Sequence, residues 1–474
     1  MKKFGFKTAF ALSVGILSIA AHSAEMELAS PESQGISSDA ILKWIEACEI
    51  AATNGQLKGF MHGFVIVRHG KTVAEGTWAP YDTLTRPHML YSHSKSFTST
   101  AVGFLVDDGM LDLDERIISI FPDRTPSNPS ENLRQMRVRD LLTMNVGARF
   151  TDAERKDING DWVRAFLHNE VESPPGTVFK YDSCATHMLA AIVEKRTGKP
   201  LMEFLRERLF KPLGMTSPWS TTSPTGVACG GWGMNMTTRD LARFGQFMLQ
   251  EGRLGDRQLL SREWVRMASA RQTWSGSIVV QSKTIGSGSD WNQGYGFQFW
   301  RNRNDSYRAD GAAGQITIVF PVHDAVVSIN AGLGNMQNEL NLVWEHLLPA
   351  FESSPLPAAE ASVKALRRKC DSLALPLEDS RKEAFLDMNY AKVENAADGW
   401  KLVKGERMLS VGNGEWAITR WKFSDSNVEP LFSFTGTHDI AASGRITPDG
   451  KLEVVWHFLG GIKHGTFAVE MIGE

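Results

Sequence analysis

Cysteine is scarce in this chain: four in 474 residues, at Cys48, Cys184, Cys229 and Cys370, with no Cys-x-x-Cys pair. That spacing excludes a zinc ribbon and a disulfide-dense scaffold, and it predicts buried thiols rather than a cross-linked frame. Basic runs are also missing. Lys and Arg total 51 against 54 Asp and Glu, a formal charge of −3, which gives a nucleic-acid backbone nothing to bind. Three catalytic signatures are absent: a Gly-x-Ser-x-Gly elbow, a His-Glu-x-x-His helix, and a phosphate-cradling glycine loop before Lys-Ser/Thr. No metal and no cofactor are therefore expected, and the expected partner is a small molecule rather than nucleic acid.

Long apolar runs are confined to the start of the chain. Lys2, Lys3 and Lys7 lead into an apolar stretch from Thr8 to Ala21, too short to cross a bilayer, with small residues at Ala21, Ser23 and Ala24. This pattern predicts a signal peptide over residues 1–24 and export to the periplasm or medium, with no membrane span afterwards. Its removal takes away three lysines and no acids, moving the formal charge from −3 to −6.

The length exceeds what one core usually supports, so more than one unit is expected. Ser30-Pro31-Glu32 reads as a turn, and amphipathic spacing through Ile41, Trp44, Ile45 and Cys48 predicts a helix from there to about Ala52. His69-Gly70-Lys71 predicts a hairpin turn between Gly63–Val67 and Thr72–Gly76. From Asp107 to about Arg271 the pattern is mostly helical, including Val138–Met144, Asp161–Leu167, Ala185–Arg196, Leu201–Leu209 and Thr238–Gln250. Strand alternation follows at Tyr295–Trp300, Ile316–Phe320 and Ala325–Asn330, then a helix from Met336 to about Phe351. Ser353-Ser354-Pro355-Leu356-Pro357 reads as a linker, and Asn413-Gly414 as a hairpin turn between Met408–Val411 and Trp416–Thr419. The expected units are 25–352, a linker 353–362, and a small β-rich domain 363–474. Strands at both ends of the first unit, with helices between them, imply an α/β (α+β) fold whose sheet is assembled from both ends.

The chemistry is expected at Tyr91-Ser92-His93-Ser94-Lys95, the one Ser-x-x-Lys in the chain. Three residues is just under one helical turn, so Ser92 and Lys95 share a face. A serine hydroxyl needs a neighbouring base before it can attack, and a lysine can serve if burial and a helix N-terminus weaken its hold on the proton. A chain of this length contains roughly one such tetrapeptide by chance, so the motif alone decides nothing. His93 points elsewhere on the helix and is expected at the rim or behind the site. Further along, Tyr181-Asp182-Ser183 presents a phenol and a hydroxyl at a helix entrance. Ala309-Asp310-Gly311-Ala312 opens a strand where Gly311 would permit close backbone approach to a ligand, a substrate-binding or supporting place. Trp232 is expected to line or support the cleft.

Together these motifs resemble the serine β-lactamase and penicillin-binding-protein superfamily. The resemblance is to its class C β-lactamase-like branch, which includes esterases, D-amino-acid peptidases and 6-aminohexanoate-dimer hydrolases. It covers about residues 30–350. Leu141-Leu142-Thr143, Lys211-Pro212-Leu213-Gly214-Met215 and Gly230-Gly231-Trp232-Gly233 ahead of Thr238-Arg239-Asp240 extend it. It implies the transpeptidase-like fold: an antiparallel sheet flanked by helices, plus an inserted helical region. It implies Ser92 as the acylated nucleophile, Lys95 as its proton acceptor or the group that tunes it, and Tyr181 as a proton relay. Ser183, where many relatives carry asparagine, would hold Lys95 or substrate, and the backbone N–H groups of Ser92 and Ala312 would form the oxyanion hole. The third motif departs from the family pattern: Ala309-Asp310-Gly311 stands where Lys-Thr-Gly or His-Thr-Gly is usual, so the cation that grips a substrate carboxylate is missing. Strand alternation puts Ala309 and Gly311 on one face and Asp310 on the other. The expected activity is an exported serine hydrolase working through an acyl-enzyme on small esters, linear amides or peptide-like substrates. The alternatives are a β-lactamase or D,D-peptidase, and a ligand sensor that does not turn over or a structural protein on the same fold.

Overall fold

A computed structural model of the protein describes residues 26–149, 160–275, 279–280, 283–284, 288–377, 386, 388, 391–423 and 436–471. The expected signal segment lies outside them. Six strands build the main sheet: β1 (Gly59–Arg68), β2 (Lys71–Thr77), β3 (Trp300–Arg301), β4 (Tyr307–Gly311), β5 (Gln315–Phe320) and β6 (Ala325–Leu333). Their order is β3-β4-β5-β6-β1-β2, antiparallel throughout, so the two ends of the unit meet where β1 pairs with β6. Strand β1 is buried on both faces over most of its length, which is why it reads as an unbroken apolar run.

Six helices matter for the site: α1 (Ser38–Thr53), α2 (Ser94–Asp107), α3 (Ser183–Thr197), α4 (Thr238–Leu249), α5 (Met336–Leu342) and α6 (Glu360–Asp371). Ser37 caps α1 by accepting from the Ala40 N–H. Helices α1, α5 and α6 cover one face of the sheet, in a core that includes Trp44, Ile66, Ile318, Val327, Leu340 and Leu366. Helix α4 lies on the other face at close range, where a Cβ on Gly245 would come within 2.5 Å of Val326. Beyond it, α2 and α3 form the centre of the helical region; α2 is buried from Ser94 to Leu105. No helix among the described residues is long and apolar enough to cross a membrane.

Three local expectations fail. Residues 295–299 do not form a strand; all five are buried, and Gln298 sits at φ 67°. There the side chain of Gln298 accepts from Thr186 and donates to the carbonyls of Leu141 and Leu142, while its own carbonyl accepts from Ser96. Tertiary hydrogen bonds thus override the apparent alternation. The helix from Met336 is α-helical only to Leu342, then widens and tightens in turn up to Ala350. The Asn413-Gly414 turn does join two strands, but they do not pair with each other as a hairpin.

Those strands belong to the C-terminal sheet: β7 (Lys392–Ala396), β8 (Gly399–Lys404), β9 (Arg407–Asn413), β10 (Ala417–Phe423), β11 (Gly436–Ile446), β12 (Lys451–Phe458) and β13 (His464–Glu470). The long strand β11 takes β10 along Gly436–Ala442 and β9 at Ser443–Gly444. The sheet therefore bends, and its inner face encloses a core with Trp400, Leu402, Leu409, Trp421 and Trp456. That core also takes in Met89 and Tyr91 from the first unit. By contrast, α6 and the residues after it pack on the main sheet: Leu373 and Leu375 join its core, and Ala79 exchanges backbone hydrogen bonds with both.

Candidate active site

Ser92 sits in a single tight turn, Tyr91–His93, that runs straight into α2. One turn later, Lys95 is 1% exposed and points back at it. Its Nζ donates to Ser92 Oγ at 2.9 Å, Ser183 Oγ at 3.0 Å and the Gly231 carbonyl at 2.6 Å. An ammonium has three donors, and all three are spent on these neutral oxygens.

Each acceptor is placed by its own local structure. Ser183 is the first residue of α3, and Asp182 caps that helix by accepting from the Cys184 N–H at 2.8 Å. Gly231 lies against the same helix entrance, where a Cβ would stand 2.8 Å from the Ser183 carbonyl oxygen. Beside it, Thr98 donates to the Gly230 carbonyl at 2.8 Å, fastening this loop to α2. The glycine pair thus lets backbone reach the lysine where side chains would not fit.

Tyr181 stands beside Ser92 and Lys95. Its ring stacks on Trp300 at 5.6 Å and meets Tyr295 edge-on at 6.1 Å, while Lys95 Nζ lies 4.9 Å from the ring centroid. Burial holds the phenol in its neutral form, pushing its pKa well up, while the neighbouring Ser92 pulls the other way.

The strand motif closes the other side. Gly311 is in close contact with the turn that carries Ser92: a Cβ there would lie 2.0 Å from the Leu90 carbonyl oxygen. Ala309 faces the same way, into the core that holds Leu90 and Phe97. Ala312 follows in the exposed turn between β4 and β5. Arg308 and Asp310 are buried and bound to each other at 2.6 Å, with the guanidinium over Trp291 at 4.6 Å. Burial pushes the Asp310 carboxyl up even though Arg308 draws it down.

His93 is fully buried rather than at the rim. Its Nδ1 meets the Gln315 carbonyl at 3.2 Å, its ring stacks on Phe97, and burial lowers its pKa to about 3. Trp232 packs on Trp162 at 5.6 Å, lies beside His187 and is buried in a small cluster with Cys229. Sequence reasoning missed the Gly231 carbonyl, although its Gly-Gly-Trp-Gly setting was visible. It also missed the Trp300 stack and the Gln298 hub, for which no sequence signal existed. Among the described residues no cluster of metal-ligating side chains occurs.

A family model described as Beta-lactamase matches residues 55–337. The chain belongs to the beta-lactamase family. Within that family it is a serine hydrolase. It is 28% identical over 295 residues to the 6-aminohexanoate-dimer hydrolase of Paenarthrobacter ureafaciens, spanning 56% of this chain and 70% of that one. It is 28% identical over 175 residues to the D-aminopeptidase of Brucella anthropi, spanning 33% of this chain and 32% of the relative. Among solved structures, the octameric penicillin-binding protein homologue from Pyrococcus abyssi aligns with a TM-score of 0.52 at 15% identity, covering 90% of this chain and 95% of that one. That likeness concerns the fold, and it extends over the C-terminal sheet.

Proposed function

We propose that the protein hydrolyses linear amides and esters of small molecules through an acyl-enzyme on Ser92. The observation that carries this reading is the buried Lys95 ammonium 2.9 Å from Ser92 Oγ, held by Ser183 and the Gly231 carbonyl. In the reactive state Lys95 is the neutral amine and accepts the Ser92 proton as Oγ bonds to the substrate carbonyl carbon. The backbone N–H groups of Ser92 and Ala312 receive the developing oxyanion, each worth about 3 kcal/mol in the transition state. Tyr181, a neutral phenol, gives its proton to the departing nitrogen or oxygen as that bond breaks, and Lys95 replenishes it. Water then attacks the acyl-enzyme by the same route in reverse.

The strand motif bears on the substrate. Ala309 offers no cation on the nucleophile's side, and the nearby Arg308 is spent on Asp310. A β-lactam or D,D-peptide carboxylate therefore lacks its usual grip, which favours substrates with a neutral group there. The amide-cleaving relatives, named for 6-aminohexanoate dimer and D-amino acids, fit this preference. We also propose export, on the basic start and short apolar run, and two units divided beyond Leu375 rather than at the linker, because Leu366, Leu373 and Leu375 pack in the first core.

A panel of chromogenic ester, linear amide and cephalosporin substrates, run with the parent and Ser92→Ala, tests the reading. Turnover of ester or amide with slow or no cephalosporin cleavage is expected, and Ser92→Ala should lose both turnover and labelling by a fluorophosphonate probe. Labelling retained in Ser92→Ala would falsify the nucleophile. Rapid cephalosporin cleavage would overturn the substrate class, and a permanent adduct without turnover would overturn hydrolysis itself.

A further inference from the structure

We infer that the C-terminal sheet is part of the catalytic apparatus: it holds the nucleophile turn in place, with Tyr91 as the positioning residue. The inference rests on the reading of Ser92 as nucleophile. Tyr91 immediately precedes Ser92, and its backbone is at φ 49°, a conformation that side-chain-bearing residues resist. Its carbonyl accepts from Ser94 Oγ at 2.7 Å, so this backbone belongs to the turn that presents the serine. The residue is only 4% exposed, and it is buried in the core of the other unit, with Trp400, Leu402 and Trp456. The whole approach to the turn is fastened the same way. Met89 shares that core, and its N–H donates to the Gly460 carbonyl at 3.0 Å. Tyr81 donates to the Gly461 carbonyl at 3.3 Å, and Arg86 pairs with Asp439 at 2.5 Å.

A strained residue persists where its surroundings over-determine it. Here the determining contact is an aromatic ring sunk in a separate sheet, so the position of Ser92 depends on how that sheet is docked. Without the ring, the turn is free to relax toward negative φ, which shifts Ser92 Oγ away from Lys95 Nζ. Misplacements of this kind slow the chemical step more than they weaken binding.

The experiment uses the full chain, with a p-nitrophenyl ester and a fluorophosphonate probe. Tyr91→Ala should lower kcat and the labelling rate on the order of 10- to 100-fold with little change in KM, while Tyr91→Phe, which keeps the ring, should stay within about threefold of the parent. Tyr91→Leu is the alternative if the alanine variant does not accumulate, and its rates should fall between those of the other two. Val327→Ala, a cavity in the main-sheet core away from the turn, is the control for destabilisation and should leave kcat unchanged. Tyr91→Ala rates within twofold of the parent would overturn the inference, as would an equal loss in Val327→Ala at the same fall in Tm. Ser92→Ala separates the two ideas. If it still labels, the nucleophile reading fails. If it is inert while Tyr91→Ala is as fast as the parent, only the positioning role fails.

Discussion

Lowering the pH from about 7.5 to 5 tests how firmly the two cores hold their histidines in the neutral form. Burial lowers the pKa of His93 to about 3 and those of His88 and His187 to about 4, from 6.5, and holds His62 well below that value. In the unfolded chain each takes up a proton as the pH drops through 6.5. In the folded chain they do not until far lower. Below pH 6.5 the unfolded state therefore binds more protons, so the stability these groups contribute is complete above that pH and lost on the way to about 4. Each such proton is worth about 1.4 kcal/mol per pH unit. Two buried carboxyls oppose the effect: burial raises Asp310, and raises Glu339 further with help from Asp310, so the folded state keeps protons that the unfolded state releases. The buried histidines outnumber these carboxyls, so acidification costs stability on balance, set against the ~5–15 kcal/mol that typically holds a domain folded. Urea titrations at pH near 7.5, 6.5, 6 and 5.5 should show the midpoint falling steeply below 6.5, with m unchanged. In His187→Phe, whose ring would remain between Trp162 and Trp232, the slope should lessen, approaching about 1.4 kcal/mol per pH unit toward the acid end of that range. Stability that is flat or rising between pH 6.5 and 5.5 would refute the reasoning.

Gly231→Ala should cost kcat without abolishing the fold. Its Cβ would lie 2.8 Å from the Ser183 carbonyl, and relief to 3.4 Å shifts the loop whose carbonyl holds Lys95, so kcat in the ester assay should fall on the order of 10- to 100-fold. Gln298→Leu removes the side-chain links to Thr186, Leu141 and Leu142 in a buried place, and denaturant unfolding should register a loss of about 2–4 kcal/mol; a loss under about 0.5 would deny it a hub role.

Periodicity carried most of the fold. The Leu189, Ile192 and Val193 steps marked α3, and the β1–β2 hairpin was visible in its turn residues. What failed was what neighbours decide. Tyr295–Trp300 alternates like a strand, yet the bonds of Gln298 to three other segments bend it. Asn413-Gly414 is a strong turn signal, but pairing is a choice among all available strands, and β11 outcompetes the local partner. At the site, spacing put Ser92 and Lys95 on one face, as found. The Gly231 carbonyl was invisible because a backbone acceptor leaves no mark in residue type. Tyr91 was invisible for a related reason: its partner is a sheet more than three hundred residues along the chain.

The thiols have a practical consequence. None of the four cysteines forms a disulfide; three are buried and Cys370 is half-covered, with burial pushing its pKa up to about 12. The native chain is therefore sluggish toward alkylating reagents and indifferent to reductants. Because Cys48 lies beneath the main sheet while Cys184 lies in the helical core, the order in which they become modified in rising denaturant would reveal which half loosens first, with no label added.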